Sequence, residues 1–351
     1  MKKLFHAHHP FRIFAISALL TLAGIFGVLF SRGVSAAVVI LILIAVEIAF
    51  SFDNAIINAK TLAKLSEKWQ QLFLTVGIVI AVIGMRVVFP ILIVSLTAHL
   101  SWGTVLDLAF NHPKEYADKL HHAHPAIAAY GGAFLLMLAL EFFIDERRKI
   151  LWLQYIEKPL QRLSHLWAPM IISIIAVFAI ALVPANHHPS TTITAGLLGI
   201  ITHIAIGLFT NLFGSRQRGN KPKDAKPLVG MAAFSTFIYL QILDASFSFD
   251  GVIGAFAITT DVILIAIGLG IGAIWVRSLT VFMVRKGTLG DYIYLEHGAH
   301  YTVFVLAAIL LISGFFEIPD ILAGVAGFGL IGSAIVASRQ ALKAKQAKAK
   351  A

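Results

Sequence analysis

Stretches of about 20 consecutive apolar residues recur along almost the whole chain, and a stretch of that length is what a helix needs to cross a hydrocarbon layer of roughly 30 Å. Inside such a layer the backbone finds no water, so each crossing segment must pair its own amides, which a helix does without a strand partner. The chain-wide figures agree: of 351 residues, 58% are hydrophobic and 13% charged, with a mean hydropathy of +0.86. That is far above what a soluble domain needs to fill one core. The sequence therefore predicts an all-α polytopic membrane protein with membrane lipid as its first partner. About ten transmembrane helices are expected, at 11–30, 34–57, 71–97, 126–145, 167–185, 193–213, 229–258, 262–284, 300–316 and 318–338.

The segments between these spans carry an orientation signal. Lys2, Lys3, Arg12, Lys60, Lys64, Lys68, the clusters at 147–162 and 216–226, Arg285, Lys286 and the tail from Arg339 onward place 23 basic residues on one side, and only Arg32, Lys114 and Lys119 fall on the other. Basic loops stay in the cytoplasm, so both termini are expected there, with an even number of spans. The formal net charge of +10 is thus a topological signal and implies no nucleic-acid partner. Lys2, Lys3 and Arg12 ahead of the first apolar stretch, with Val34-Ser35-Ala36 after it, resemble a secretory leader. Its core of about 18 residues is longer than the ~7–15 of a leader, and Arg32 interrupts the would-be cleavage region, so a retained helix is expected. With no cysteine in the chain, disulfides, iron–sulfur centres and thiolate metal sites are excluded.

An internal repeat is the most informative motif. Glu47-Ile48-Ala49-Phe50-Ser51-Phe52-Asp53-Asn54 aligns with Asp244-Ala245-Ser246-Phe247-Ser248-Phe249-Asp250-Gly251, and in each case the next span carries one arginine in an apolar setting, Arg86 or Arg277. A third span follows each pair. The loop charges run the two motif spans in opposite directions, so two inverted three-helix repeats are expected, an arrangement that transporters use with the site at the repeat interface. The expected organisation is a cytoplasmic N-terminus and first helix (1–33), a first repeat (34–145), two extra helices with basic loops (146–228), a second repeat (229–316), and a last helix with a basic tail (317–351).

Each charge buried in lipid costs about 2.5–3.5 kcal/mol, so Glu47, Asp53, Asp244, Asp250, Arg86 and Arg277 need compensation. They could be structural ion pairs. Alternatively the acids line an ion path and Arg86 and Arg277 balance them when it is empty; four acids against two arginines leave two negative charges, which match one divalent cation or two protons. On a helix Glu47, Ser51 and Asn54 share one face, as do Asp244, Ser248 and Gly251, whereas Asp53 and Asp250 lie about 100° away. Glu47 and Asp53 would stand about 9 Å apart along an intact helix. A local break near Ser-Phe-Asp is therefore expected in each repeat, because half-helix ends and freed carbonyls complete cation sites. The candidate metal ligands are Glu47, Ser51, Asp53, Asn54, Asp244, Ser248 and Asp250.

At these residues the sequence resembles the TerC family of bacterial membrane proteins, within the LysE-type exporter group. Family members look like Glu-x-x-Leu-x-x-Asp-Asn in the first unit, met here by Glu47 to Asn54 with Phe50 in place of leucine. In the second they have an Asp, Phe-Ala-x-Asp-Ser and Gly-Leu-Arg-Ser-Leu, met by Asp244, by Phe247 to Asp250, and by Trp275-Val276-Arg277-Ser278-Leu279. Gly251 replaces the usual serine, and the likeness covers roughly 34–145 and 229–316. It implies Mn²⁺ export from the bacterial inner membrane, or a part in metal homeostasis and tellurite resistance. Oxygen ligands from carboxylate, amide and hydroxyl suit Mn²⁺, Ca²⁺ and Mg²⁺, while an anion such as tellurite would meet net negative charge. No bound cofactor is expected, only the transported cation, and the sequence sets no oligomeric state.

The histidines form a weaker pattern. His99, His112, His121, His122, His124, His187 and His188 fall at outer ends or loops, where metal capture, pH sensing or plain solvation would all place them, and His6, His8 and His9 cluster in the cytoplasm. His203, with Thr202 and Asn211, and Glu141, with Asp145, are read as interhelical hydrogen-bonding groups. An intramembrane aspartyl protease would need Tyr-Asp and Gly-x-Gly-Asp, neither of which occurs, so no enzyme is expected. The remaining alternative is an accessory protein that assembles with or hands metal to other proteins.

Overall fold

The computed structural model describes residues 10–164, 167–214, 227–286, 292–316 and 318–350. The expectations for Lys2, Lys3, the His6–His9 cluster and the basic loop at 216–226 fall outside these residues. Among the described residues seven helices are long and apolar enough to cross a membrane, or eight when the bent pair at 34–62 counts as one span. The structure is that of an all-helical, multi-pass membrane protein, and the apolar side chains that point outward, such as Leu19, Leu22, Phe26 and Phe30 of the first helix, face where lipid would be. Of the ten segments expected to span, two differ. The one at 167–185 is a helix of 14 residues, Ala168–Ala181, about 21 Å long. The one at 229–258 is the 29-residue helix Gly230–Ile258, which is not among those eight.

The chain forms two compact units, one of residues up to His124 with Phe209–Lys286, the other of Pro125–Leu208 with the chain from Gly287 on. The first unit opens with α1 (Pro10–Arg32) and α2 (Val34–Phe50), joined at Gly33, whose φ of 87° is a conformation only glycine adopts freely. Next come α3 (Phe52–Leu62), α4 (Glu67–Leu74) and a short α5 (Val76–Val79) that runs through a π-helical stretch (Ile80–Val88) into α6 (Phe89–Thr97). Helices α7 (Trp102–Asn111), α8 (Pro113–Ile144), α9 (Gln154–Gln161), α10 (Ala168–Ala181) and α11 (Pro189–Gly214) follow. Then come α12 (Gly230–Ile258) and α13 (Val262–Lys286), which complete the first unit.

Helix α13 is the centre of that unit, with α1, α2, α3, α12 and the π-helical stretch packed against it. Glycines at one-turn spacing make the closest approach possible: a Cβ at Gly268 would come within 2.5 Å of Leu43, and one at Gly272 within 2.5 Å of Glu47. Helix α1 is tied to α13 by polar groups, the Ser17 and Ser278 hydroxyls at 2.8 Å and the Trp275 indole N–H donating to Thr21 Oγ1 at 2.9 Å. Arg32 pairs with Asp261 at the far end. At the opposite end Leu228 N donates to Lys64 O and Ser66 N to Leu228 O. The Lys64 and Leu228 ends are therefore neighbours. Because Asn54 also touches Asp244, α3 and α12 run antiparallel.

One expectation needs correcting. The polar segment with Lys114, Lys119 and His121 to His124 was expected to be an outer loop before a span at 126–145, yet it is helical from Pro113 onward. Tyr116, Leu120 and Ala123, at i, i+4 and i+7, form a buried stripe, and a polar segment with such a stripe is an amphipathic helix.

In the second unit, α8 from Pro125 on lies against α14 (Leu295–Ser313), where a Cβ at Gly132 would meet Leu311 at 2.9 Å and the Ala307 carbonyl at 3.1 Å. Helix α15 (Asp320–Lys350) packs on α14. The loop before α9 is held by buried Glu157, whose carboxylate accepts the Trp152 and Leu153 N–H groups and the Tyr301 hydroxyl.

Candidate functional site

Two buried ion pairs lie in the first unit, one in each copy of the motif. Arg86 pairs with Glu47, and Arg277 pairs with Asp244 at 2.7 Å. Each arginine thus serves the acid of its own copy, one span further along the chain. The pairs are also linked across the copies: Asn54 donates to Asp244 Oδ1 at 2.8 Å, while Gly251, which aligns with Asn54, lies so close that a Cβ there would be 3.5 Å from Glu47 Oε2. Position eight of each motif therefore touches the leading acid of the other. Glu47 and Asp244 feel each other's charge, as do Arg277 and Arg86.

The local irregularities follow from the residues around them. Helix α2 ends at Phe50 and α3 starts at Phe52, with a bend of 53° between them. Ser51 at the corner takes φ −102° and ψ 12°, and its hydroxyl donates to Glu47 Oε1 at 3.2 Å. Asp53 Oδ1 takes the Asn54 N–H at 2.8 Å. Ser, Asp and Asn offer the backbone such local bonds in place of helical ones. A second irregularity lies at Thr75, whose hydroxyl bonds back to Gln71 O at 3.0 Å, and a third in the π-helical stretch ahead of Pro90, a residue that cannot donate to the carbonyl four positions earlier.

The arginines use the carbonyls at these places. Arg277 donates to Phe73 O at 3.1 Å and to Gln241 Oε1 at 3.1 Å, in addition to Asp244, and its guanidinium lies over the Phe73 ring, 4.2 Å from its centre. Gly77 leaves room for it, since a Cβ there would be 2.5 Å from Arg277 Nη1. Arg86 donates to Ala81 O at 2.8 Å. Each arginine is therefore a clamp between a carboxylate and an irregular part of the span at 67–97.

The expected break is present in the first copy and absent in the second, where α12 is continuous through Ser248, Asp250 and Gly251. At the bend of the first copy the Ser51 hydroxyl and the Asp53 carboxylate make the local hydrogen bonds, while the Asn54 amide reaches across to Asp244. The side chains of Ser248 and Asp250 lie outside the described residues. Among the described residues no three of His, Asp, Glu or Cys stand close enough to hold a metal ion. Glu47, Ser51 and Arg86 form one hydrogen-bonded cluster and Asn54, Asp244 and Arg277 another. Asp53 does not join their ion pairs. It is buried in the first turn of α3, and among the described residues no cation pairs with it.

Several groups that the sequence reading passed over belong to the site: the carbonyls of Phe73 and Ala81, Gln241, Gly77 and Gly272, and Asn58, one turn beyond Asn54 and 1% exposed. Asn58 and Gln241 could have been found from their spacing, one helical turn from Asn54 and from Asp244; the carbonyls carry no mark in the sequence. In the second unit His203 Nε2 meets Glu141 at 3.1 Å, a contact between two helices. Arg148 pairs with Glu296 at 2.7 Å and lies over Phe142. Burial draws this guanidinium below its ordinary pKa, against the pull of Glu296.

The sequence pattern of one family, described as "Protein of unknown function (DUF475)", matches residues 52–345. The match takes in Asp53, Asn54, Arg86, Asp244, Asp250 and Arg277 and begins after Glu47 and Ser51. No curated protein and no solved structure matches the chain.

Proposed function

We propose that this chain, which belongs to the DUF475 family of proteins of unknown function, is a secondary transporter of divalent metal cations, acting as an exporter with Mn²⁺ as its first substrate. The observation that carries this reading is the pair of acid–arginine clusters meeting across antiparallel motif helices, with Asn54 on Asp244 and Gly251 beside Glu47. That reciprocity is what two inverted repeats would produce, and it supports a site at their interface. The proximity of Lys64 to Leu228, and of Arg32 to Asp261, supports the loop-charge topology: basic loops and both termini in the cytoplasm, with ten spans across the bacterial inner membrane.

The chemistry is oxygen-only. Glu47 and Asp244 are paired with Arg86 and Arg277, so among the described residues Asp53 is the motif acid left without a cationic partner. A divalent ion of the Mn²⁺, Ca²⁺ and Mg²⁺ group would be drawn to these carboxylates and would compete with the arginines for Glu47 and Asp244. The likeness to the TerC proteins, carried by the motif residues, ranks Mn²⁺ first. The test is Mn²⁺ flux in liposomes containing the purified protein, against Ca²⁺, Mg²⁺ and tellurite. Saturable Mn²⁺ flux supports the reading, and its absence would leave the accessory role.

A further inference from the structure

We propose that Asn58 is a cation ligand, forming with Asn54 a second oxygen station on α3, between the ion-pair cluster and an apolar seal. The proposal deepens the transport reading and rests on it. Asn54 Oδ1 and Asn58 Oδ1 are both buried without a hydrogen-bond partner, and each residue is only 1% exposed. The orientation of Asn54 is set by chemistry, because its NH₂ end faces the acceptor-only carboxylate of Asp244 at 2.8 Å; its free end is therefore the oxygen. A buried amide oxygen with no donor is unfavourable, which calls for a compensating occupant or function.

The spacing suits a shared ion. Residues four apart on a helix lie on one face with Cβ atoms about 5–6 Å apart, so two amide oxygens can approach one cation at about 2.1–2.5 Å each. Asp53, in the same turn as Asn54, is a buried carboxyl group with no cationic partner among the described residues. Since Asn54 touches Asp244 on α12, the Asn54–Asn58 stripe is the edge of α3 that turns toward α12. Beyond Asn58, toward the end where Lys64 meets Leu228, the chain closes with a buried apolar cluster of Leu62, Leu65, Phe73, Phe237 and Leu240. A cation leaving the carboxylates in that direction meets Asn58 as its last buried polar side chain on α3 before this seal. Neutral oxygens hold an ion weakly, which suits a stop on a path that must also release it.

Asn58→Leu and Asn58→Asp in the full-length protein test the proposal, with Mn²⁺ flux in liposomes, Mn²⁺ binding in detergent and thermal stability as readouts. Asn58→Leu is expected to unfold at the same temperature as the parent or higher, because an unpartnered polar group has been removed, and yet to lose at least about tenfold in flux. Asn58→Asp is expected to bind Mn²⁺ about tenfold more tightly, from the added charge. Parent-like flux in Asn58→Leu would overturn the proposal and leave the transport reading intact; no flux in the parent would defeat both. Should Asn58→Leu fail to fold, Asn58→Asp decides alone, unchanged affinity being the refuting result.

Discussion

Removing the Arg86 side chain isolates what the buried pairs contribute. In Arg86→Ala the Glu47 carboxylate, 3% exposed, loses its only cationic partner among the described residues, and the Ala81 carbonyl loses a donor at 2.8 Å. Breaking one side of a buried pair costs about 3–5 kcal/mol, because the charge left behind stays desolvated. Adding Glu47→Gln removes that charge, and the double variant should recover most of the loss, remaining about 1 kcal/mol below the parent for the unmade bond to Ala81. The assay is reversible denaturation in detergent of the parent, both single variants and the double, read as a double-mutant cycle. A coupling of about 2–4 kcal/mol is expected. Arg86→Ala as stable as the parent, or a cycle with no coupling, would refute the clamp.

Three further outcomes follow from the geometry. Gly272→Ala should destabilise the protein by about 1–3 kcal/mol, since its Cβ would fall 2.5 Å from Glu47 Cβ and 3.2 Å from the Ile44 carbonyl; Gly27→Ala, with nothing within 4 Å, is the control, and thermal unfolding compares them. Glu157→Gln should cost about 1–3 kcal/mol by the same measurement, because an amide that keeps its oxygen toward the Leu153 N–H and the Tyr301 O–H must turn its NH₂ toward the Trp152 N–H. Single cysteines introduced into this cysteine-free chain at 64, 221 and 345 should be labelled from the cytoplasmic side and those at 114 and 188 from the other; labelling of 64 and 221 from opposite sides would contradict the inverted arrangement.

Much of the site was readable because lipid makes polar residues conspicuous. Glu47, Arg86, Asp244 and Arg277 stand out in apolar surroundings, and the structure pairs them in the order the repeat suggests. The antiparallel course of the motif helices was readable from loop charge. The asymmetry between the copies was not, because both carry the same Phe-Ser-Phe-Asp residues at the point where only the first copy bends. The helix at 113–124 was hidden by its charge and histidine content, although the Tyr116, Leu120 and Ala123 stripe was available. The carbonyls of Phe73 and Ala81 carry no sequence mark at all; they accept from the arginines where the hydrogen bonding of the span at 67–97 is irregular, at Thr75 and in the π-helical stretch.

The central claim is that the acid left unpaired by this arrangement carries the cation. The measurement that tests it most directly is Mn²⁺ flux in liposomes containing Asp53→Asn beside the parent, with folded yield and unfolding temperature recorded for both. The change removes a charge with almost no change in volume, and Asp53 pairs with no cation among the described residues, so the variant should fold as well as the parent and move no Mn²⁺. A well-folded Asp53→Asn protein with parent-like flux would contradict the account.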